Sequence, residues 1–123
     1  MTRQRQIVGM AGEKAAREFL EKAGYSIIEA NYRCFLGEID IIALKADTLI
    51  FAEVRTKTGL TFGRPEESVT KDKVYRLRRL AHHYLQSKHR EERASRIDLI
   101  AVMLDRRENQ VTEINHIKGI GGF

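Results

Sequence analysis

With 123 residues, 42% hydrophobic and 32% charged, the chain suits one domain over residues 1–123 and has the composition of a folded protein rather than a disordered one. It contains no apolar run near the roughly 18 residues a membrane span needs, and MTRQRQIVGM lacks the apolar core of a secretory leader. The net charge of +5 favours an anionic partner, nucleic acid above all.

Residues 8–23, VGMAGEKAAREFLEKA, read as an amphipathic helix. Val8, Ala11, Ala15, Phe19 and Ala23 form its stripe, widened by Ala16 and Leu20, and Gly24 suits the stop. YSIIEANYR, residues 25–33, has the β-branched and aromatic content of a strand. GEIDIIALKADTLIFAEVRTK, residues 37–57, reads as two strands joined by a Lys-Ala-Asp turn. The stretch TGLTFGRPEES, with the only proline, is a loop. Residues 71–88 return to helical period, with Val74, Leu77, Ala81, Tyr84 and Leu85 on one side and Thr70 as N-cap beside Asp72. Strands at 96–104 and 111–117 complete an α/β order of helix, three strands, helix, two strands. The lone Cys34 cannot pair within the chain, which fits a reducing cytoplasm.

Strand alternation places Glu38, Asp40, Ile42 and Leu44 on one face and Ile39, Ile41 and Ala43 on the other. In the next strand Leu49, Phe51, Glu53, Arg55 and Lys57 share a face, opposite Ile50, Ala52, Val54 and Thr56. An antiparallel turn then sets Asp40 near the Glu53 to Arg55 end. Two carboxylates in an apolar setting must be paired, hydrogen-bonded or bound to metal. Mg²⁺ prefers one or two carboxylates and keeps waters that can serve at phosphate, while a nearby cation stabilises charge building on phosphorus. The competing reading is a surface ion-pair ladder at a strand end.

GEIDIIA followed by FAEVRTK resembles the Asp…Glu-x-Lys signature of the restriction-endonuclease-like (PD-(D/E)XK) nuclease superfamily. With GEKAAREFLEKAGYSIIEANYR, FGRPEESV, the Lys-Arg-Leu-rich helix and RIDLIAV in order, most of the chain resembles the YraN-like family of uncharacterised bacterial proteins. The resemblance implies a restriction-endonuclease-like core, a mixed sheet flanked by helices. It also implies Asp40 and Glu53 as ligands to Mg²⁺ or Mn²⁺, with the Val54 carbonyl a third. Glu13 corresponds to a helix acid that archaeal Holliday-junction resolvases place at the metal. Where the family pattern has lysine, this chain has Arg55, which stays protonated and cannot act as a base but can fork onto phosphate. Lys57, two residues on, is the candidate substitute. Glu38 is a candidate assistant, and Asp98 reads as structural, paired with Arg96 or a helix cation.

Lys71, Lys73, Arg76, Arg78, Arg79, His82, His83 and Lys88 give the second helix a basic surface suited to phosphate. Phe62 and Arg64 in the preceding loop are candidate substrate contacts, and the histidines show no metal-ligand spacing. The expectation is a metal-dependent endonuclease acting on DNA, with branched or damaged structures among its targets. The alternatives are a nucleic-acid-binding module without catalysis and a protein-interaction domain meeting an acidic partner. Because resolvase-like nucleases act on two strands, the resemblance also raises a homodimer.

Overall fold

A computed structural model describes residues 2–59, 63–90 and 93–122. Helix α1 (Arg3–Lys22) is followed by strands β1 (Ser26–Cys34), β2 (Gly37–Lys45) and β3 (Thr48–Thr58). A short 3₁₀ turn at Pro65–Ser68 leads to helix α2 (Lys71–Ser87), then β4 (Ser95–Leu104) and β5 (Val111–Ile117). The five strands form one mixed sheet in the order β1-β2-β3-β4-β5, parallel only between β3 and β4. That parallel step requires a crossover, which α2 supplies. Among the described residues no helix is long and apolar enough to cross a membrane.

The helices cover opposite faces. Ala16 and Leu20 of α1 pack with Ile41, Ala43, Ile50, Ala52, Val54, Ile100 and Val102. Leu77, Leu80, Ala81, Tyr84 and Leu85 of α2 pack with Ile42, Leu49, Phe51 and Ile97. The expected α2 stripe thus gains Leu80, and Val74 at its edge is only half-buried.

Three expectations need correction. First, α1 begins at Arg3, five residues before Val8. Its first turn is exposed, so no apolar period marks it; the Thr2 side chain caps it by accepting from the Arg5 N–H at 3.2 Å. Second, the loop before α2 contains the 3₁₀ turn at Pro65–Ser68, where proline suits a first helical position. Third, Ile39 does not oppose Ile42: both join the α2-side cluster. The alternation breaks around Asp40, opposite the stretch of β1 where Asn31 takes a left-handed φ of 55°.

The same region ends the β2–β3 ladder. Pairing runs from Lys45↔Thr48 to Ile41↔Ala52 and stops, although β1 and β2 stay paired to Cys34↔Gly37. On its other side β3 pairs with β4 as far as Thr58↔Leu104. The β1–β2 hairpin and the end of β3 therefore diverge like the prongs of a fork. Helix α1 spans the opening because Gly12 allows backbone contact: a Cβ there would lie 1.8 Å from Thr56 Oγ1.

Gly12→Ala should therefore destabilise the protein by about 1–3 kcal/mol, an overpacking cost, despite alanine's better helix propensity. Urea unfolding checks this. Pairing it with Thr56→Ala should recover part of the loss, and a neutral Gly12→Ala would show that α1 does not rest on β3 at this point.

Candidate active site

The crotch of the fork holds the two expected carboxylates. Residue Asp40 is the first of β2 beyond the ladder, and its Oδ2 accepts the Val54 N–H at 2.8 Å. A side chain thereby replaces the lost strand partner. Because N–H and C=O of one strand residue leave on the same side, the Val54 carbonyl is directed toward this opening as well. Glu53 adjoins it and is only 8% exposed. Its Oε2 lies 3.2 Å from Arg55 Nε and 3.7 Å from Lys73 Nζ of α2.

Burial is the largest reason that both acids hold their protons more tightly than usual. Asp40 is pushed up to about 8, by burial first and by the Glu53 charge next. Glu53 is also raised by burial, against the lowering effect of Arg55. Glu13 of α1 is raised by burial and by Glu38. Asn31 joins these last two acids: with its amide nitrogen facing them, it donates to Glu38 Oε1 at 2.7 Å and Glu13 Oε1 at 3.1 Å. Arg33 closes the rim with a 3.3 Å contact to Glu38.

This is an excess of negative charge that protein cations only partly offset. Among the described residues no three His, Cys, Asp or Glu side chains form a ready ligand cluster. Two carboxylates and a carbonyl are nevertheless the donor set Mg²⁺ or Mn²⁺ accepts when water completes its shell. The raised pKa values record charge that a divalent cation would relieve. Asp40, Glu53 and the Val54 carbonyl fit the ion in donor type, and Glu13, which lines the cleft with Val54, adds its charge to Asp40.

An open cleft of about 620 Å³ begins at Val54 and Arg55, the residues that follow Glu53. Arg5, Val8, Gly9 and Glu13 of α1 form one wall, Val54–Gly59 the other, and Ser68 and Arg106 contribute to its lining. Arg55 and Lys57 both line it. The Arg55 Nε is buried and, despite its closeness to Glu53, lacks hydrogen-bond alignment. Lys57 lies along the cleft wall, two residues beyond Arg55 on the same strand.

The basic helix divides. Lys73 is at the carboxylates, whereas Lys71, Arg76, Arg78 and Arg79 are exposed on the outer surface. Arg64 stands apart, paired with Glu66 and Glu113, and Phe62 lies outside the described residues. Asn31, Arg5 and Arg106 were not anticipated. Asn31 offered one signal, a residue type that strands disfavour, set between Ala30 and Tyr32.

Asp98 belongs to a separate polar knot and is 0% exposed. It accepts from Arg96 Nε at 2.9 Å, His116 Nε2 at 2.7 Å and Gly119 N–H at 3.0 Å. Arg96 also donates to the Tyr25 hydroxyl at 2.7 Å. These hydrogen bonds outweigh desolvation, and the Asp98 pKa is lowered.

The two aspartates should respond oppositely to amide replacement. Asp98→Asn should cost about 3 kcal/mol by leaving Arg96 and His116 without their anion, whereas metal-free Asp40→Asn should gain about 1–3 kcal/mol at pH 8. The raised Asp40 pKa makes its stabilising contribution full below the unfolded value of 3.8 and lost as pH rises through about 8. Melting temperature in EDTA should fall across that window in wild type, less so in Asp40→Asn. Added Mn²⁺ should restore it at the alkaline end. Equal slopes in the two proteins would remove Asp40 as the source.

Residues 12–102, which hold the fork and Asp98, match the model of Uncharacterised protein family UPF0102. A UPF0102 protein of Moorella thermoacetica is 50% identical over 119 residues, 97% of either chain. One from Desulfitobacterium hafniense is 44% identical over 121 residues, 98% of this chain and 100% of its own. Another, from Beutenbergia cavernae, is 40% identical over 119 residues, covering 97% and 99%. The chain belongs to the uncharacterised protein family UPF0102, the YraN-like family that its motifs resemble.

Proposed function

We propose that this protein is a cytoplasmic, metal-dependent endonuclease that hydrolyses DNA phosphodiester bonds, with branched or damaged DNA as the candidate substrates. The observation that carries the reading is the pairing of half-buried Asp40 with buried Glu53 at the crotch of the fork, next to Val54 and Arg55, which line a cation-lined cleft. Asp40, Glu53 and the Val54 carbonyl would hold Mg²⁺ or Mn²⁺, with Glu13 supporting the set. The ion, when bound, supplies polarisation of the phosphate and acidification of a water.

The chain's own residues account for the other requirements. Arg55, which lines the cleft, would fork onto a phosphate oxygen and stabilise charge as the bond breaks. It cannot take a proton from the attacking water. Lys73, 3.7 Å from Glu53, offers a second cation at the opening. Lys57 and Arg5 continue the positive lining along the cleft, and Lys71, Arg76, Arg78 and Arg79 supply phosphate contacts beyond it.

The second reading is a nucleic-acid-binding module without catalysis. Arg55 favours it, since the guanidinium already occupies the Glu53 side of the site where a lysine would leave more room. Under that reading Asp40→Ala leaves binding intact or tightens it.

Labelled single-stranded, duplex and four-way-branched DNA, incubated with Mn²⁺, Mg²⁺ or EDTA, separates the two. Metal-dependent cleavage is expected, lost in Asp40→Asn and Glu53→Gln purified in parallel. Arg55→Ala should slow it by about 10²–10³-fold, while Arg55→Lys retains it. Binding without cleavage under every metal condition would establish the module instead.

A further inference from the structure

The tip of the β1–β2 prong exposes an aromatic ring where a hairpin ordinarily places polar residues. Cys34 pairs with Gly37, leaving Phe35 and Leu36 as the two loop residues. Leu36 packs into the α2-side core, while Phe35 is 84% exposed, the most exposed large hydrophobic among the described residues. It is nevertheless supported from one side. The His83 ring meets Phe35 in a T-shaped contact at 5.4 Å, and His83 Nδ1 is held in turn by the Tyr32 hydroxyl at 2.9 Å. The ring is thus a supported platform with an open face.

Its surroundings are cationic. Arg76 reaches the base of the turn, where a Cβ on Gly37 would lie 3.7 Å from it. Arg76, Arg79 and His83 follow one another at three- and four-residue spacing and so share a strip of α2. Arg33, with its side chain 76% exposed, stands at the other side of the same prong. From the loop the prong leads to the crotch: Asp40 is three residues beyond Gly37, about 10 Å of extended strand.

We infer that Phe35 is a base-stacking residue, and that the nucleic acid engaged by this protein presents an unstacked base to the hairpin tip while its backbone passes the Arg76–Arg79 strip toward Asp40 and Glu53. An open aromatic face set among arginines is the pairing that single-stranded nucleic acid recognises: π-faces meet the bases and cations meet the phosphates. A continuous duplex hides its base faces in the stack. The preferred ligand is therefore a single strand, or a junction or end at which bases are unpaired. This rests on the nucleic-acid part of the proposed function, but not on cleavage.

The chain has no tryptophan, so Phe35→Trp places a unique fluorophore at the tip. In EDTA, where no cutting occurs, oligothymidylate should quench this tryptophan. An abasic oligonucleotide of equal length and heparin, which match its charge but have no bases, should not. Phe35→Ala should bind oligothymidylate about 5- to 100-fold more weakly than wild type, approach wild type on the abasic strand, and retain its melting temperature. Unchanged affinity in Phe35→Ala with an unquenched Phe35→Trp would overturn the stacking role, while leaving nucleic-acid binding through α2 intact. Absence of binding to every oligonucleotide at low salt would overturn both. Sedimentation of the same samples tests the other occupant: a wild-type dimer that Phe35→Ala turns to monomer, with oligonucleotide affinity unchanged, would assign the ring to a second copy of the chain.

Discussion

The site depends on a single substitution of partners in the sheet. Beyond Ile41↔Ala52 strand β2 no longer pairs with β3, and the Val54 N–H is met by the Asp40 side chain instead. A buried peptide donor left without an acceptor would cost about 1–3 kcal/mol, so the carboxylate has a structural reason to be there. The same bond draws Asp40 against Glu53 and directs the Val54 backbone into the opening. It also permits the hairpin to separate from β3 without exposing raw sheet edge at the point of divergence. Fork, carboxylate pair and cleft are consequences of one ladder ending early.

Asp40 and Asp98 show that two aspartates of one sheet can meet opposite electrostatic surroundings. Both lie on neighbouring tracks of the sheet, since Asp98 pairs with Ala52, the residue before Glu53. Asp98 is surrounded by donors from Arg96, His116 and Gly119, and its charge is stabilised. Asp40 has one donor and an acidic neighbour, and its charge is opposed. An acid whose ionisation the protein resists, held where solvent and a cation can reach it, stores free energy that a ligand can release. The polar knot around Asp98 has no such opening and instead secures β4, β5 and the following turn together.

Much of this was legible in the residues. Period and punctuation locate the seven principal elements, and the turn between β2 and β3 fixes which ends of the strands meet. What alternation cannot reveal is its own failure: Ile39 joins Ile42 because the chain kinks at Asp40, and nothing in GEIDII announces a kink. The contact of Lys73 with Glu53 comes from a helix twenty residues away in sequence and depends on the crossover's packing, which local pattern does not encode. The early start of α1 is similarly hidden, because an exposed first turn has no apolar period. Arg64 shows the same limit: its ion-pair partner Glu113 lies on β5, which local pattern does not connect to the loop.

The irregularities of the outer strands have a bearing on assembly. A flat, regular edge invites another strand to add on, which leads to open-ended association. Here β1 carries a register shift between Ile27 and Glu29 and the left-handed Asn31, while β5 is offset opposite Met103 and Leu104. Both margins are therefore bent out of the geometry that strand addition needs. The kink that helps to shape the acidic rim at Asn31 also helps to close the sheet to extension.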